Sequence, residues 1–451
     1  MESRVLISHS TGKNERKTAL RCRFLCFKPN MDLRKQVCCS KIKLQYYADR
    51  NDSILNIMIV SQCFYPDNFR INDIVQSLAS MGHQVRVLTG LPDYATSKVP
   101  KEYRWFRRRR EWVNGAQVVR VPIIARHKGV LFRALNYASF VASSWLYASF
   151  CKKKDIDVIF CYQTSPVLQA YAARRLKHRT KKPLVLYCCD LWPESLKAFH
   201  VEESHPLFHA VKRISRKLYQ ACDKIAVTSA PFRTYLTDLC GEDMNERIFD
   251  LPQHAEDLYA DICGVYEENE CVDFLFAGNI GSVQNVDCII RAIPHIKTDK
   301  PFMVHIVGDG SELSACKELS ESLHVTDRIT FHGRFPLEKM EQFYQLADCF
   351  LLTLRGGDFI GMTLPAKAQG YLSAGKPILG AIDGAAAQMI GESDCGECVR
   401  AGDAEGLGAM MQKVIESPEQ YRQKGKNGRR YYEQHYTKEI FMNTFIKLLE
   451  E

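Results

Sequence analysis

The sequence predicts an α/β protein made of two doubly wound domains whose parallel sheets face each other across a cleft. Three observations lead there. At 451 residues the chain exceeds what one hydrophobic core holds, about 250 to 300 residues. From Ile54 onward, short apolar runs alternate with amphipathic stretches, the pattern of consecutive βαβ units. The alternation breaks once, near Leu251 to Glu267, where Pro252 and an acidic loop separate two series of similar length.

The first strand runs from Ile54 to Ser61 and empties into Gln62, Cys63, Phe64, Tyr65 and Pro66. Further strands are expected at Gln84 to Thr89, Val118 to Pro122, Asp157 to Cys161, Leu184 to Cys188 and Lys224 to Thr228. Apolar positions at helical spacing fill Ile71 to Met81, Leu131 to Phe150, Val167 to Leu176 and Leu207 to Ala221 between them. In the second series the strands are Val272 to Ala277, Met303 to Val307, Arg328 to Phe331, Cys349 to Leu352 and Pro377 to Leu379. The expected boundaries are 54–255 and 268–432, with a C-terminal helix at 433–451 able to cross back to the first domain. Residues 1–53 lack periodicity and are read as a disordered basic extension or as an overlong start, with Met31 an internal candidate.

Apolar residues make up 46% and charged residues 25%, which leaves collagen-like, wholly disordered and disulfide-stapled classes without support. Eighteen cysteines without even spacing suit a reducing compartment, and no cysteine or histidine spacing suggests a metal site. The net charge of +9 is unevenly placed: residues 1–53 carry a surplus of +7 and residues 101–154 one of +11, leaving the remainder acidic. A basic face of this kind suits nucleic acid or an anionic membrane. No nucleic-acid module accompanies it. Ala134 to Cys151 holds no charge, is flanked by Arg133 and by Lys152, Lys153 and Lys154, and follows Arg104 and Arg107 to Arg110. We read it as a helix lying on an anionic membrane surface, the alternative being an ordinary core helix beside a solvated basic loop.

Three segments could carry chemistry. After Val272 to Ala277 come Gly278, Asn279, Ile280 and Gly281, which leave room for a ligand at the start of a helix or simply make a tight turn. The flexible run Gly356 to Met362 ends at Thr363, a candidate N-cap, with Pro365 in the first turn and Lys367 close behind. A cation at a helix start is misplaced unless an anion sits there, and the two loops together suggest a diphosphate, the alternative for Lys367 being a solvated surface lysine. In the first domain, Asp190 and Glu194 flank Leu191, Trp192 and Pro193 at a strand end. They could orient a sugar hydroxyl, act as acid and base, or cap the next helix.

These residues resemble family 4 of the glycosyltransferases with the GT-B fold, in the branch that builds capsular, O-antigen and colanic-acid type polysaccharides. The carriers are Phe64-Tyr65-Pro66, Gly82-His83-Gln84-Val85, Gly90-Leu91-Pro92-Asp93-Tyr94 and, most specifically, Asp190-Leu191-Trp192-Pro193-Glu194. The second half adds Gly278-Asn279-Ile280-Gly281, Gly308-Asp309-Gly310, His332-Gly333, Pro365-Ala366-Lys367 and Gly375-Lys376-Pro377. The resemblance implies two Rossmann-like domains and a retaining hexosyl transfer from a nucleotide-sugar, usually a UDP-sugar, to a lipid-linked saccharide on the cytoplasmic membrane face. It implies no metal and no cofactor beyond the nucleotide-sugar substrate. Gly278, Asn279 and Gly281 would lie near the diphosphate with Lys367 and Thr363 opposite, and the loops at Gly308 and Gly333 near the nucleoside. Asn72, Gln163, Asp190 and Glu194 would serve the acceptor, with Lys367, Asp190 and Glu194 catalytic.

The sequence departs from the family where a pair of glutamates eight positions apart is usual. The second falls at Gly370 and the first near Met362, with Asp358 close by. The usual Arg and Lys after the first donor-domain strand are replaced by Asn279 and by Gln284 or Asn285. The rival reading is therefore a non-catalytic, transferase-like accessory subunit at the membrane; a sugar-nucleotide epimerase is a third.

Overall fold

In the computed structural model, which describes residues 54–450 apart from 95, 96, 106, 128, 153, 154, 200, 263–265 and 267–269, the described strands form two sheets. The first domain runs β1 (Asn56–Val60), α1 (Arg70–Ser80), β2 (Gln84–Thr89), β3 (Arg110–Val113), β4 (Ala116–Arg120), α2 (Val130–Phe150), β5 (Val158–Gln163), α3 (Ala170–Thr180), β6 (Leu184–Cys188), α4 (Pro206–Gln220), β7 (Lys224–Val227), α5 (Ala230–Cys240) and β8 (Ile248–Asp250). Its sheet order is β3-β4-β2-β1-β5-β6-β7-β8, parallel throughout except for β3. The central strand β1 pairs Ile57 with Val85 on one side and with Val158 on the other. Its sequence shows no alternation because both faces are covered by helices and both must be apolar. Helix α1 buries Ile71, Ile74, Val75 and Leu78, one face at helical spacing.

The second domain runs β9 (Val272–Ala277), α6 (Val286–Ala292), β10 (Phe302–Val307), α7 (Leu313–Ser322), β11 (Ile329–Gly333), α8 (Met340–Leu346), β12 (Cys349–Thr353), α9 (Asp358–Gly361), α10 (Ala366–Ala374), β13 (Ile378–Ala381), α11 (Ala385–Ser393), β14 (Gly396–Val399), α12 (Ala404–Glu416) and α13 (Pro418–His435). All six strands are parallel, in the order β11-β10-β9-β12-β13-β14. The connection between the sheets contains a 3-10 segment, Asp257–Ile262, whose Tyr259 stacks on Tyr344 of α8 at 4.0 Å. The final helix α14 (Lys438–Glu450) packs into the first domain: Phe441, Phe445 and Leu449 share one core cluster with Ile57, Phe160 and Tyr187. Lys438 ties its start to Asp73 of α1 at 2.6 Å.

Sequence reading missed three strands. The arginine run enters edge strand β3 at Arg110, paired antiparallel with β4, and the charge keeps that open edge from pairing with other chains. Strands β8 and β14 are three and four residues long, too short for a periodic signal.

Helix α2 is not a core helix. It buries Asn136, Phe140, Ser144 and Ala148, and turns Leu131, Leu135, Ala138, Ala142, Leu146 and Phe150 to solvent along one stripe. Leu131 is 68% and Phe150 80% exposed. The basic hairpin beside it exposes Trp105 and Trp112 among Arg104, Arg107, Arg108 and Arg110. Among the described residues no helix is long and apolar enough to cross a membrane.

Candidate active site

The carboxyl ends of both sheets converge on a cavity of about 600 Å³, where doubly wound sheets bind their ligands. Loops after β1, β2, β4, β5 and β6 bring Cys63, Tyr94, Arg126, Ser165 and Asp190; the second domain brings Asn279, Gln284, Leu354, Thr363 and Lys367. A second cavity of about 660 Å³ adjoins it and shares Phe69, Thr164, Asp190, Thr363 and Ala366. Beside these cavities the Ser229 hydroxyl of the first domain donates to the Met362 carbonyl of the second at 2.6 Å, and Arg70 holds Glu256 of the connecting segment at 2.7 Å.

Lys367 is not a solvated surface lysine. Its ammonium nitrogen is buried, has no hydrogen-bond partner among the described residues, and lies 3.7 Å from the centroid of the Phe276 ring. Burial pushes its pKa down to about 7. A buried cation with only a ring face for company is costly unless an anion completes it. The helix start differs from expectation: α10 begins at Ala366, Pro365 occupies the N-cap position in extended conformation, and Thr363 caps nothing. Thr363 instead lines both cavities.

The glycines serve the lysine and the packing of loops rather than a helix start. A Cβ on Gly278 would lie 2.8 Å from the Lys367 nitrogen, so its absence clears the place the ammonium occupies. At Gly308, where φ is +152°, a Cβ would lie 1.8 Å from the Gly278 carbonyl oxygen. The Gly308 N–H donates to the Gly333 carbonyl at 2.9 Å, so Gly308 and Gly333 lock three neighbouring loops and line neither cavity. Behind them His305 bridges His332 and Asp273, each at 2.9 Å. Gly281 likewise lies outside the cavity lining; its N–H is held by Gln284 at 3.2 Å. Helix α6 starts only at Val286, after Asn285 in the left-handed region, so no helix terminus stands behind Gly281. Asn279 does reach the cavity and donates to Gln284 at 2.9 Å.

In the first domain Asp190 borders both cavities, accepts a hydrogen bond from the Ser165 hydroxyl at 2.8 Å and has its pKa raised by burial. It does not cap a helix. Glu194 also reaches the cavity, but its carboxylate is already held by Lys197 at 2.7 Å and by the Tyr235 hydroxyl at 2.8 Å, an arrangement that fixes a loop rather than frees a base. The two expected acceptor residues both make hydrogen bonds to neighbouring loops. Gln163 is fully buried and its amide nitrogen donates to the Asp190 carbonyl at 2.9 Å, which sets the height of the Asp190 loop. Asn72 accepts from the Tyr65 N–H at 2.9 Å and donates to the Asp67 carbonyl at 2.8 Å, bracing the loop after β1 from the edge of the second cavity.

At Gly370 an added Cβ would lie 3.3 Å from the Tyr259 ring and from the Tyr344 hydroxyl. The stacked tyrosines take up the space a longer side chain would need. The side chain of Asp358 lies outside the described residues. Arg126 and Ser165 were not legible as cavity residues, nor Phe276 as the buried ring against Lys367: each is a single common residue type in a strand or loop, and only the fold places it. Among the described residues no group of three or more His, Cys, Asp and Glu could hold a metal ion.

Comparison with known proteins gives the arrangement a family. Residues 68–247 match the model of a glycosyl transferase 4-like domain and residues 267–431 that of glycosyl transferases group 1. WbjE of Pseudomonas aeruginosa, named a probable glycosyltransferase, is 24% identical over 266 residues, 56% of this chain and 65% of that protein. The chain thus spans just under two thirds of that relative. WcaI of Escherichia coli K12, named for glycosyl transfer in colanic acid biosynthesis, is 23% identical over 327 residues, 67% of this chain and 76% of its own length. The structure of HepE from Anabaena in complex with UDP and glucose superimposes with a TM-score of 0.62 at 15% identity, covering 88% of this chain and 100% of HepE.

Proposed function

Since the chain belongs to the glycosyl transferases that join a 4-like N-terminal domain to a group 1 C-terminal domain on the GT-B fold, we propose that it transfers a hexose from a nucleotide-sugar, most simply a UDP-sugar, to a lipid-linked saccharide in surface polysaccharide biosynthesis, with retention at the anomeric carbon. The observation that carries this reading is Lys367, a buried, unpartnered cation facing a cleft of suitable size from the donor-side domain. When the bond from the anomeric carbon to the diphosphate breaks, negative charge gathers on the departing oxygen. A fixed, desolvated cation there stabilises that charge more than it stabilises the intact donor. Asp190 borders the same cavity and is held by Ser165, which supports a role in binding a sugar hydroxyl. The complex of HepE with UDP and glucose supports the choice of donor class.

The acceptor side of the proposal rests on α2. Its solvent-facing stripe from Leu131 to Phe150 is uncharged, and the hairpin next to it carries Arg104, Arg107, Arg108 and Arg110 with Trp105 and Trp112. Apolar residues flanked by arginines and indoles suit the headgroup region of an anionic membrane, where a lipid-linked substrate resides. The test is calorimetric titration with UDP, GDP and their sugars. Micromolar binding of one nucleoside diphosphate supports the transferase reading; binding of none favours the accessory-subunit reading.

A further inference from the structure

The cleft holds a second cation whose donors are mostly unused. Arg126 follows β4, lines the cavity of about 600 Å³ with Lys367, and lies with its guanidinium carbon 4.7 Å from the Tyr94 ring centroid and 5.8 Å from that of Tyr137. Of its five side-chain N–H donors one is spent, from Nη2 to the Tyr137 hydroxyl at 3.3 Å. Asp93 lies close enough to interact with the Arg126 charge, yet among the described residues no side-chain hydrogen bond joins the two. Asp93 Oδ2 accepts from the Arg126 backbone N–H at 2.7 Å and from Asn136 at 2.8 Å, and Asp67 Oδ2 accepts from the Tyr94 N–H at 3.2 Å. What remains is a planar fork of donors, clamped by two rings and open to the cavity. That geometry matches phosphate oxygens better than neutral hydroxyls.

The surroundings add an apolar half to the ligand. Tyr137 belongs to α2, and Arg133 of that helix lies 4.9 Å from the ring of Phe199, another lining residue, so the first turns of α2 border the cavity. The outer side of those turns exposes Leu131 and Leu135. We propose that Arg126, clamped by Tyr94 and Tyr137, is an acceptor-side anion subsite that takes the phosphate of a phospho-lipid-linked acceptor, with the lipid chain leaving along the exposed stripe of α2. This deepens the transferase reading and rests on its assignment of Lys367 to the donor: one cation for the leaving diphosphate, the other for the anion of the acceptor.

The test uses the full chain with farnesyl diphosphate as the probe, titrated by calorimetry below its micellar concentration, with and without saturating UDP. The wild type binds farnesyl diphosphate in the presence of UDP, and Arg126→Gln weakens that binding at least tenfold while leaving UDP affinity within twofold. Arg126→Lys restores part of it, and Lys367→Ala reverses the pattern, losing UDP and keeping farnesyl diphosphate. Equal binding by Arg126→Gln, or none by the wild type, overturns the assignment. Farnesol binding as well as farnesyl diphosphate would overturn the phosphate half, and inorganic pyrophosphate binding as tightly would overturn the lipid half. If UDP fails to bind while farnesyl diphosphate still depends on Arg126, the donor reading fails and the acceptor role of Arg126 falls with it, leaving only a lipid-phosphate site.

Discussion

The ammonium of Lys367 and the ring of Phe276 meet at 3.7 Å across the base of the cleft, one from the second residue of α10 and the other from β9. The contact exists because residue 278 has no side chain: a Cβ there would come within 2.8 Å of the same nitrogen. A ring face offers a desolvated ammonium only part of what water gave it, which is the physical ground for proposing an anion there.

Replacing Lys367 separates binding from folding. Lys367→Met removes an unpartnered buried charge and keeps most of the volume, so the melting temperature should stay level or rise. A hydrogen bond to a charged group is worth about 1.5–3 kcal/mol, so affinity for a nucleoside diphosphate should fall roughly ten- to a hundredfold. Thermal melting and calorimetry on one variant read both effects.

The depressed pKa of Lys367, about 7 against an ordinary 10.5, makes two pH effects measurable. The unfolded chain holds this proton more tightly than the folded one, so the group's contribution to stability rises with pH between those values and is level outside them. An anion bound at the nitrogen restores the proton. Nucleotide binding near pH 8 should therefore take up a fraction of a proton, visible as a binding enthalpy that varies with the ionisation enthalpy of the buffer, and Lys367→Met should abolish that dependence.

Gly370→Glu should not restore a family-like carboxylate. The new side chain must displace Tyr259 and Tyr344, stacked at 4.0 Å, and bury a charge in helix α10. Overpacking of this kind costs about 1–3 kcal/mol. A lowered melting temperature with no gain in nucleotide affinity is expected; a tighter-binding, equally stable variant would show that the tyrosines yield.

Removing α14 from the first-domain core should unfold more than the tail. Phe445 lies 4.6 Å from Phe160 of β5, and Phe441 packs against His254 at 5.0 Å. Phe445→Ala leaves a cavity in that cluster and should cost about 3–5 kcal/mol, read by chemical denaturation.

The exposed face of α2 predicts a salt-dependent association. Replacing Arg107, Arg108 and Arg110 with Gln should weaken binding to anionic vesicles by about 1 kcal/mol per residue at low salt, with the difference shrinking as salt is raised. Leu135→Glu should weaken it at every salt concentration, because the apolar contact is lost along with the charge balance. Flotation with liposomes distinguishes the two.

The fold was largely legible because buried parallel strands are mainly apolar: Leu184–Cys188 is apolar on both faces, and Gln84–Thr89 and Val272–Ala277 could be delimited from sequence alone despite Arg86 and Asp273. Direction was not legible. Gln163 and Asn72 carry the polarity of binding residues, yet the Gln163 amide nitrogen and both ends of the Asn72 amide are engaged by the backbone of neighbouring loops, and sequence records a side chain's chemistry without its aim. Arg126 shows the converse, an ordinary arginine after a strand whose meaning depends on Tyr94, 32 positions earlier, and Tyr137 on the next helix. Lys367 could be suspected from its place near a helix start, but its burial beneath Phe276 required the packing of β9 against α10.

If Lys367 holds a nucleoside diphosphate, calorimetric titration of wild type and Lys367→Met with UDP will separate the two proteins. The wild type should bind with micromolar affinity and take up protons near pH 8, and the variant should bind at least tenfold more weakly without uptake. Equal affinity in the two proteins would contradict that role for Lys367.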